Sequence, residues 1–206
     1  MDYFYAMLLF AVSSSVTPGP NNLMVMASGV NFGVRRSLPL LTGICLGFTL
    51  MLLLVSFGFY RLFIIFPVLQ VGLKLIGCLY LLYLSWLIAS SHREVSSDRE
   101  NQPFGFIKGL LFQWVNAKAW IVAVGAIAAF TGGQDAGMTP QLLLASVFLV
   151  ISFPCVGVWL LFGTVLEKWL DNDVRRRGFN VAMGSLLALS VLPVLRELIT
   201  MEFTHG

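Results

Sequence analysis

Gln113-Trp114-Val115-Asn116-Ala117-Lys118-Ala119-Trp120 lies near the middle of an apolar run, 104–131, that is long enough to cross a bilayer. A charge at mid-membrane costs at least about 2.5–3.5 kcal/mol, so a lysine held there marks a working site. A second apolar run, 4–28, is interrupted by Thr17-Pro18-Gly19-Pro20-Asn21-Asn22. Two membrane helices broken by polar residues point to a solute carried across rather than to a bond made or cut.

The whole chain fits a membrane. Of its 206 residues 58% are hydrophobic and only 11% charged, with a mean hydropathy of +0.86. A soluble domain carries roughly 25% charged residues, so this chain lacks the polar surface to face water on all sides. The net charge of +3 calls for no nucleic-acid partner. Cys45, Cys78 and Cys155 fall in three separate apolar runs without a C-x-x-C pair, which reads as small buried hydrophobes and offers no metal site or disulfide framework. The first residues, Met-Asp-Tyr-Phe-Tyr, lack the basic region of a signal peptide, so the first apolar run is expected to be retained.

A crossing needs about 20 residues at 1.5 Å each. On that measure the expectation is an all-α membrane protein of six spans, near 4–28, 37–60, 68–90, 104–131, 141–166 and 178–195. Asn31-Phe32-Gly33 turns between the first two, His92 to Pro103 forms a hydrophilic linker, and Glu167 to Arg177 a charged turn. Lys74 enters the third span within reach of the interface, where its stem can snorkel. Nine basic residues (Arg35, Arg36, Arg93, Arg99, Lys108, Lys168, Arg175, Arg176, Arg177) fall on one side and three (Arg61, Lys74, Arg196) on the other. The richer side is assigned to the cytoplasm, which puts both termini outside. Three spans from outside followed by three from inside make a 3+3 inverted repeat, halves 1–92 and 103–200 of a single transporter domain, with the breaks in spans 1 and 4. Corresponding broken helices are where many secondary transporters build a midplane site.

The breaks carry the candidate site residues. Pro18 and Pro20 each remove a backbone donor and Gly19 loosens the chain between them; such a break is tolerated only where protein or a wet cavity satisfies the freed carbonyls. Asn21 and Asn22 open the second half-helix, whose unpaired amides suit a carboxylate. The alternative is a structural kink capped by the same asparagines. In the fourth span Gln113 and Asn116 share a face, whereas Lys118 lies about 200° around from Asn116 on an ideal helix. Either the helix breaks here or Lys118 faces another wall. Lys118 is read as the partner of a substrate carboxylate or as a proton-responsive group; the alternative is a lysine that binds carbonyls freed in the first span and ties the halves together.

No Asp or Glu falls inside any expected span, so proton coupling would rest on Lys118 or the substrate. The pairs Gly29/Gly33, Gly43/Gly47 and Gly105/Gly109 are spaced for close helix approach, read as intramolecular packing ahead of a homodimer seam.

With these residues in place the chain resembles the LysE/RhtB family of bacterial amino-acid exporters over nearly its whole length. The resemblance rests on Thr17 to Asn22 with Gly33 and Arg35, on Gly43 and Gly47, and on Lys74-x-x-Gly77-x-x-Tyr80-Leu-x-Tyr83-Leu-x-Trp86. Phe106-x-x-Gly109 and Asn116-x-Lys118-Ala119 complete it. The family shows Asn-Pro-Lys in the last element; Ala117 replaces that proline here, so a softer break is expected in span 4. The cysteine and O-acetylserine exporters also lack that proline, and the chain leans toward that branch.

The resemblance implies export of small neutral amino acids or derivatives (cysteine/O-acetylserine or threonine/homoserine) across the bacterial inner membrane, driven by protons through alternating access. Substrate would meet Asn21, Asn22, Gln113, Asn116 and Lys118, with Tyr80 either bordering the cavity or packing. No cofactor is implied and no P-loop for ATP is present. A thiol–disulfide carrier lacks its paired cysteines, and a membrane enzyme or metal exporter lacks ligand clusters. The remaining alternatives are a non-transporting membrane subunit and an exporter of another small solute.

Overall fold

Prolines, glycines and asparagines set the helix boundaries. The computed structural model describes residues 2–59, 65–91, 103–131, 138–170 and 172–196, and the described residues are helical apart from short joints. The elements are α1 (Asp2–Val16), α2 (Pro20–Leu54), α3 (Pro67–Ala89), α4 (Phe106–Phe112), α5 (Ala117–Phe130), α6 (Met138–Glu167) and α7 (Asp173–Leu189). A π-helical turn, Val55–Phe59, extends α2, and a 3-10 turn, Gln113–Val115, joins α4 toward α5. Most of the hydrophilic linker, the 132–137 loop, the residues around Arg61 and the last ten residues lie outside the described residues.

α2 reverses within its length. Gly33 has φ 73° and ψ 177°, a left-handed conformation that costs a residue without a Cβ little. The hydroxyls of Ser28 and Ser37 meet at 2.7 Å across it. Nine residues of straight helix would hold them about 13 Å apart, so the segments before and after Gly33 run back along each other. Four helical stretches, 20–59, 71–89, 138–167 and 173–196, are long and apolar enough to cross a membrane, and the bent α4–α5 pair makes a fifth if it is one span.

Two boundaries correct the sequence reading. Asn116, with φ −88° and ψ 103°, leaves the helical region without a proline after it, and the two sides of the joint meet at 69°. The expected softer break is a sharp one, because the Asn116 side chain accepts from the Lys118 amide and caps α5 in the proline's stead. The supposed charged turn after Glu167 is helical from Asp173 onward. Asn172 caps that start by accepting from the Val174 amide at 2.9 Å.

Helix α6 is the spine. The second half of α2 crosses it through Phe48–Phe148, rings 5.3 Å apart, while the first half approaches so closely that a Cβ on Gly163 would sit 2.3 Å from the Met26 carbonyl oxygen. Gly43 and Gly109 are close-approach points between α2 and α4. The expected intramolecular use of the small residues therefore holds at Gly29, Gly43, Gly47 and Gly109. α3 and α7 run antiparallel, joined by Ser85 Oγ donating to the Gly184 carbonyl at 2.7 Å and Asn180 Nδ2 donating to the Ser91 carbonyl at 2.9 Å. The pair docks on α2 through a reciprocal amide pair between Asn31 and Asn180 at 2.8 and 3.1 Å.

Apolar side chains fill two cores, one around Ile44, Leu84, Leu160 and Leu187, the other around Met51, Ala123, Leu144 and Phe148. They also cover the outside: Leu79 is 69%, Ile121 73% and Val150 68% exposed. Surfaces of that kind belong in lipid, where water does not penalise them. The chain is a multi-pass membrane protein.

Candidate functional site

A helix that stops at Val16 and restarts at Pro20 leaves the carbonyls of its last turn without amide partners. Each carbonyl from 15 to 18 finds a side-chain donor instead. Asn22 Nδ2 donates to Ser15 and Thr17, both at 2.9 Å. Trp159 Nε1, from α6, donates to Val16 at 3.0 Å. Lys118 Nζ donates to Thr17 at 2.5 Å and reaches Pro18 at 3.4 Å. The carboxyl end of α1 carries partial negative charge, so an ammonium there is held electrostatically as well.

The second break is tied to the first through amides. Asn21 Nδ2 donates to Gln113 Oε1 at 2.9 Å, Gln113 Nε2 returns a bond to Asn21 Oδ1 at 3.0 Å, and Asn116 Nδ2 donates to the same oxygen at 3.2 Å. Gln113 also donates to the Gly109 carbonyl at 3.1 Å, inside its own helix. Gln113, Asn116 and Asn22 are 0%, 1% and 2% exposed, so these amides sit in low dielectric, where such bonds matter most. On the far side of the joint Trp120 Nε1 donates to the Trp114 carbonyl at 2.9 Å.

Gly19 has an extended backbone, φ −177°, and no side chain because the lysine lies against it. A Cβ there would fall 2.7 Å from Lys118 Cδ and 3.1 Å from Nζ.

The breaks border one cavity of about 50 Å³. Its polar part comes from Ser14, Ser15, Gly19, Asn21, Asn22, Asn116 and Lys118. Its apolar part comes from α2 (Ile44, Cys45, Phe48), α5 (Ala119, Val122) and α6 (Phe148, Ser152, Val156). α2 and α5 start at this cavity, and helix starts carry partial positive charge and unpaired N–H groups; Pro20 has no N–H to offer and the Lys118 amide is capped by Asn116, which leaves the other first-turn amides. The cavity thus combines two helix amino ends, one helix carboxyl end and an ammonium. Among its lining residues there is no Asp or Glu.

Of the residues singled out from sequence, Gly19, Asn21, Asn22, Asn116 and Lys118 line the cavity. Gln113 does not; it holds Asn21 from behind. Pro18 and Pro20 shape the break without lining the cavity. Lys118 occupies the position of the alternative reading, bound to the carbonyls of the other break. Tyr80 packs between Tyr83 and Phe112, ring centroids 6.3 and 6.4 Å away, and is not a cavity residue. Sequence reasoning missed Trp159 and Ser152, and no signal in the sequence singled out either. Among the described residues no cluster of His, Cys, Asp or Glu is arranged to hold a metal.

The family model described as LysE type translocator matches residues 12–196. A relative named cysteine/O-acetylserine efflux protein, from Klebsiella pneumoniae, is 28% identical over 79% of this chain and 83% of its own. Proteins of the same name from Salmonella choleraesuis and Escherichia coli are 27% and 26% identical, each over 86% of this chain and 90% of their own. No solved structure matches the chain.

Proposed function

The chain belongs to the LysE type translocator family, and from that premise we propose that it exports small neutral amino acids or close derivatives from the cytoplasm. Its relatives are named as efflux proteins, and it is a transporter rather than an enzyme. The observation that carries the reading is the meeting of both helix breaks and Lys118 on one cavity. In the proposed mode the substrate carboxylate takes the first-turn amides of α2 and α5 with Lys118, and the substrate ammonium takes the carbonyl end of α1. Asn21 and Asn116 orient these groups and Gln113 holds Asn21 in place. Names of the relatives support cysteine and O-acetylserine as the substrates to try first.

The proposal includes six crossings in the inner membrane. Its support is the reversal at Gly33, which divides 20–59 into two antiparallel segments, the first continuing α1 past the break. Counted so, each half has a broken first span followed by two whole ones, the layout of a 3+3 inverted repeat. The excess of Lys and Arg on the 33–37 and 167–177 side supports both termini in the periplasm. Alternating access by rocking of the halves, coupled to proton antiport, completes the proposal.

The test is uptake of a mixed amino-acid panel into inside-out vesicles, with and without a pH gradient, comparing wild type with Lys118→Ala at equal membrane abundance. Gradient-dependent, selective accumulation that the variant loses is the expected result. No accumulation above empty vesicles overturns the reading, and accumulation unchanged in the variant removes Lys118 from it.

A further inference from the structure

The apolar wall of the cavity has a single hydroxyl. Ser152 is 4% exposed, stands beside Phe148 and Val156 on α6, and gives its proton to the Phe148 carbonyl one turn back. A hydroxyl whose proton is committed keeps acceptor lone pairs and no donor. An acceptor alone in a hydrocarbon wall favours a group that brings its own proton, and leaves an unmatched lone pair against one that brings none.

Back-bonding serines are ordinary in helices. Ser146, on the same helix, donates to the Leu142 carbonyl at 2.7 Å but is exposed on the outer face. Ser152 differs in being buried and lining the cavity.

Length is set beside it. The Phe48 and Phe148 rings, 5.3 Å apart, both line the cavity, and Phe10 backs Phe148 with centroids 6.4 Å apart. Phe148 is 1% exposed, so the pair is wedged in the core and does not yield cheaply. The space of about 50 Å³ holds on the order of four waters at about 10–15 Å³ of probe-occupied volume each. Even a short amino acid fills that space completely, and each further side-chain carbon presses on the walls.

We infer that Cys45, Phe48, Phe148 and Ser152 form the side-chain subsite, with Ser152 Oγ accepting from a short thiol or hydroxyl and the Phe48–Phe148 pair limiting length. The inference rests on the export reading and narrows it: cysteine and serine are favoured over the isosteric α-aminobutyrate, and with threonine over leucine. Basic amino acids are refused by the like charge of Lys118.

The experiment reads ratios, which a loss of folded protein does not move. Purified protein in proteoliposomes is given cysteine, serine, α-aminobutyrate and leucine in pairwise competition, for wild type, Ser152→Ala, Ser146→Ala and Phe148→Leu. Wild type is expected to prefer serine to α-aminobutyrate by about fivefold, the worth of one neutral hydrogen bond, and cysteine by less because a thiol is the weaker donor. Ser152→Ala brings that ratio to near unity and Ser146→Ala leaves it unchanged. Phe148→Leu raises leucine relative to serine by at least about tenfold, the scale of a methylene's worth of pocket; Phe48→Leu reads the same limit if Phe148→Leu does not insert. Wild-type selectivity that survives Ser152→Ala overturns the acceptor role, and an unmoved leucine ratio in both phenylalanine variants overturns the length limit. A wild type that moves none of the panel overturns the export reading itself, a result distinct from either.

Discussion

One substitution made at two positions of α6 should shift stability in opposite directions. Gly157 and Gly163 are both interior helical glycines, so alanine at either gains about 1 kcal/mol of helix propensity. At Gly157 the new Cβ meets nothing nearer than Leu41 Cδ1 at 4.0 Å, an ordinary contact. At Gly163 it meets the Met26 carbonyl oxygen at 2.3 Å and its carbon at 3.0 Å, both backbone atoms that no rotamer change can move aside. To restore an ordinary 3.4 Å the crossing must open by roughly 1 Å. A gap of that size forfeits a quarter to a half of each contact's attraction along the seam, and overpacking of this kind costs about 1–3 kcal/mol. The propensity gain is common to both, so the two variants should differ by about 1–3 kcal/mol, or roughly 2–12 °C in melting temperature. The buried thiols of Cys45 and Cys78 suit a thermal melt in detergent followed by a thiol-reactive dye, which reports their exposure. Gly157→Ala should melt at or above wild type and Gly163→Ala clearly below it. A Gly163→Ala protein that melts as high as Gly157→Ala refutes the close crossing of α2 and α6.

Asn31→Leu, Asn180→Leu and the double variant form a cycle on the reciprocal amide pair; coupling of about 0.6–1.7 kcal/mol is expected from melts, and strict additivity would remove the pair as the link between α7 and α2. Trp159→Phe keeps the ring but strips the Val16 carbonyl of its donor, which should lower stability by about 0.5–1.5 kcal/mol and slow transport; a melt and turnover equal to wild type would show that the bond contributes nothing. Asn22→Leu removes donors from two carbonyls at once and should destabilise more than Trp159→Phe in the same melt, the reverse order being the result against it.

The helix breaks were legible because proline and glycine act locally: Pro18 and Pro20 cannot donate wherever the rest of the chain lies. Gly33 was legible for the same reason, an Asn-Phe-Gly turn between two apolar runs. Asn116 was half legible. Its 200° disagreement with Lys118 signalled a break or a second wall, but the absent proline suggested a mild bend, and only the capping bond to the Lys118 amide accounts for 69°. The Asn172 cap could have been read from an asparagine and an aspartate ahead of a run of helix formers, yet the charge density of that stretch looked like a turn. Trp159 and Val16 were beyond reach, since they meet across 143 residues and nothing in either segment names the other. Ser152 was equally silent, because a serine in an apolar helix has the same pattern whether it faces lipid or a cavity.

The cavity needs no carboxylate because helix ends do the work of one. Lys118 occupies the second position of α5, where the amino-end dipole disfavours a cation, and its compensation comes from the carboxyl end of α1 through Thr17 and Pro18. A zwitterionic substrate has complementary needs: its ammonium suits the carbonyls that Lys118 holds, and its carboxylate suits the amide ends that repel Lys118. In the proposed cycle binding is then an exchange, with the substrate ammonium taking over the carbonyls and the lysine turning to the carboxylate, while the net charge of the site stays constant. Such an exchange demands both charges on one small molecule. An amine without a carboxylate would displace Lys118 toward α5 uncompensated, and a carboxylate without an amine would leave the α1 carbonyls bare once the lysine turned away.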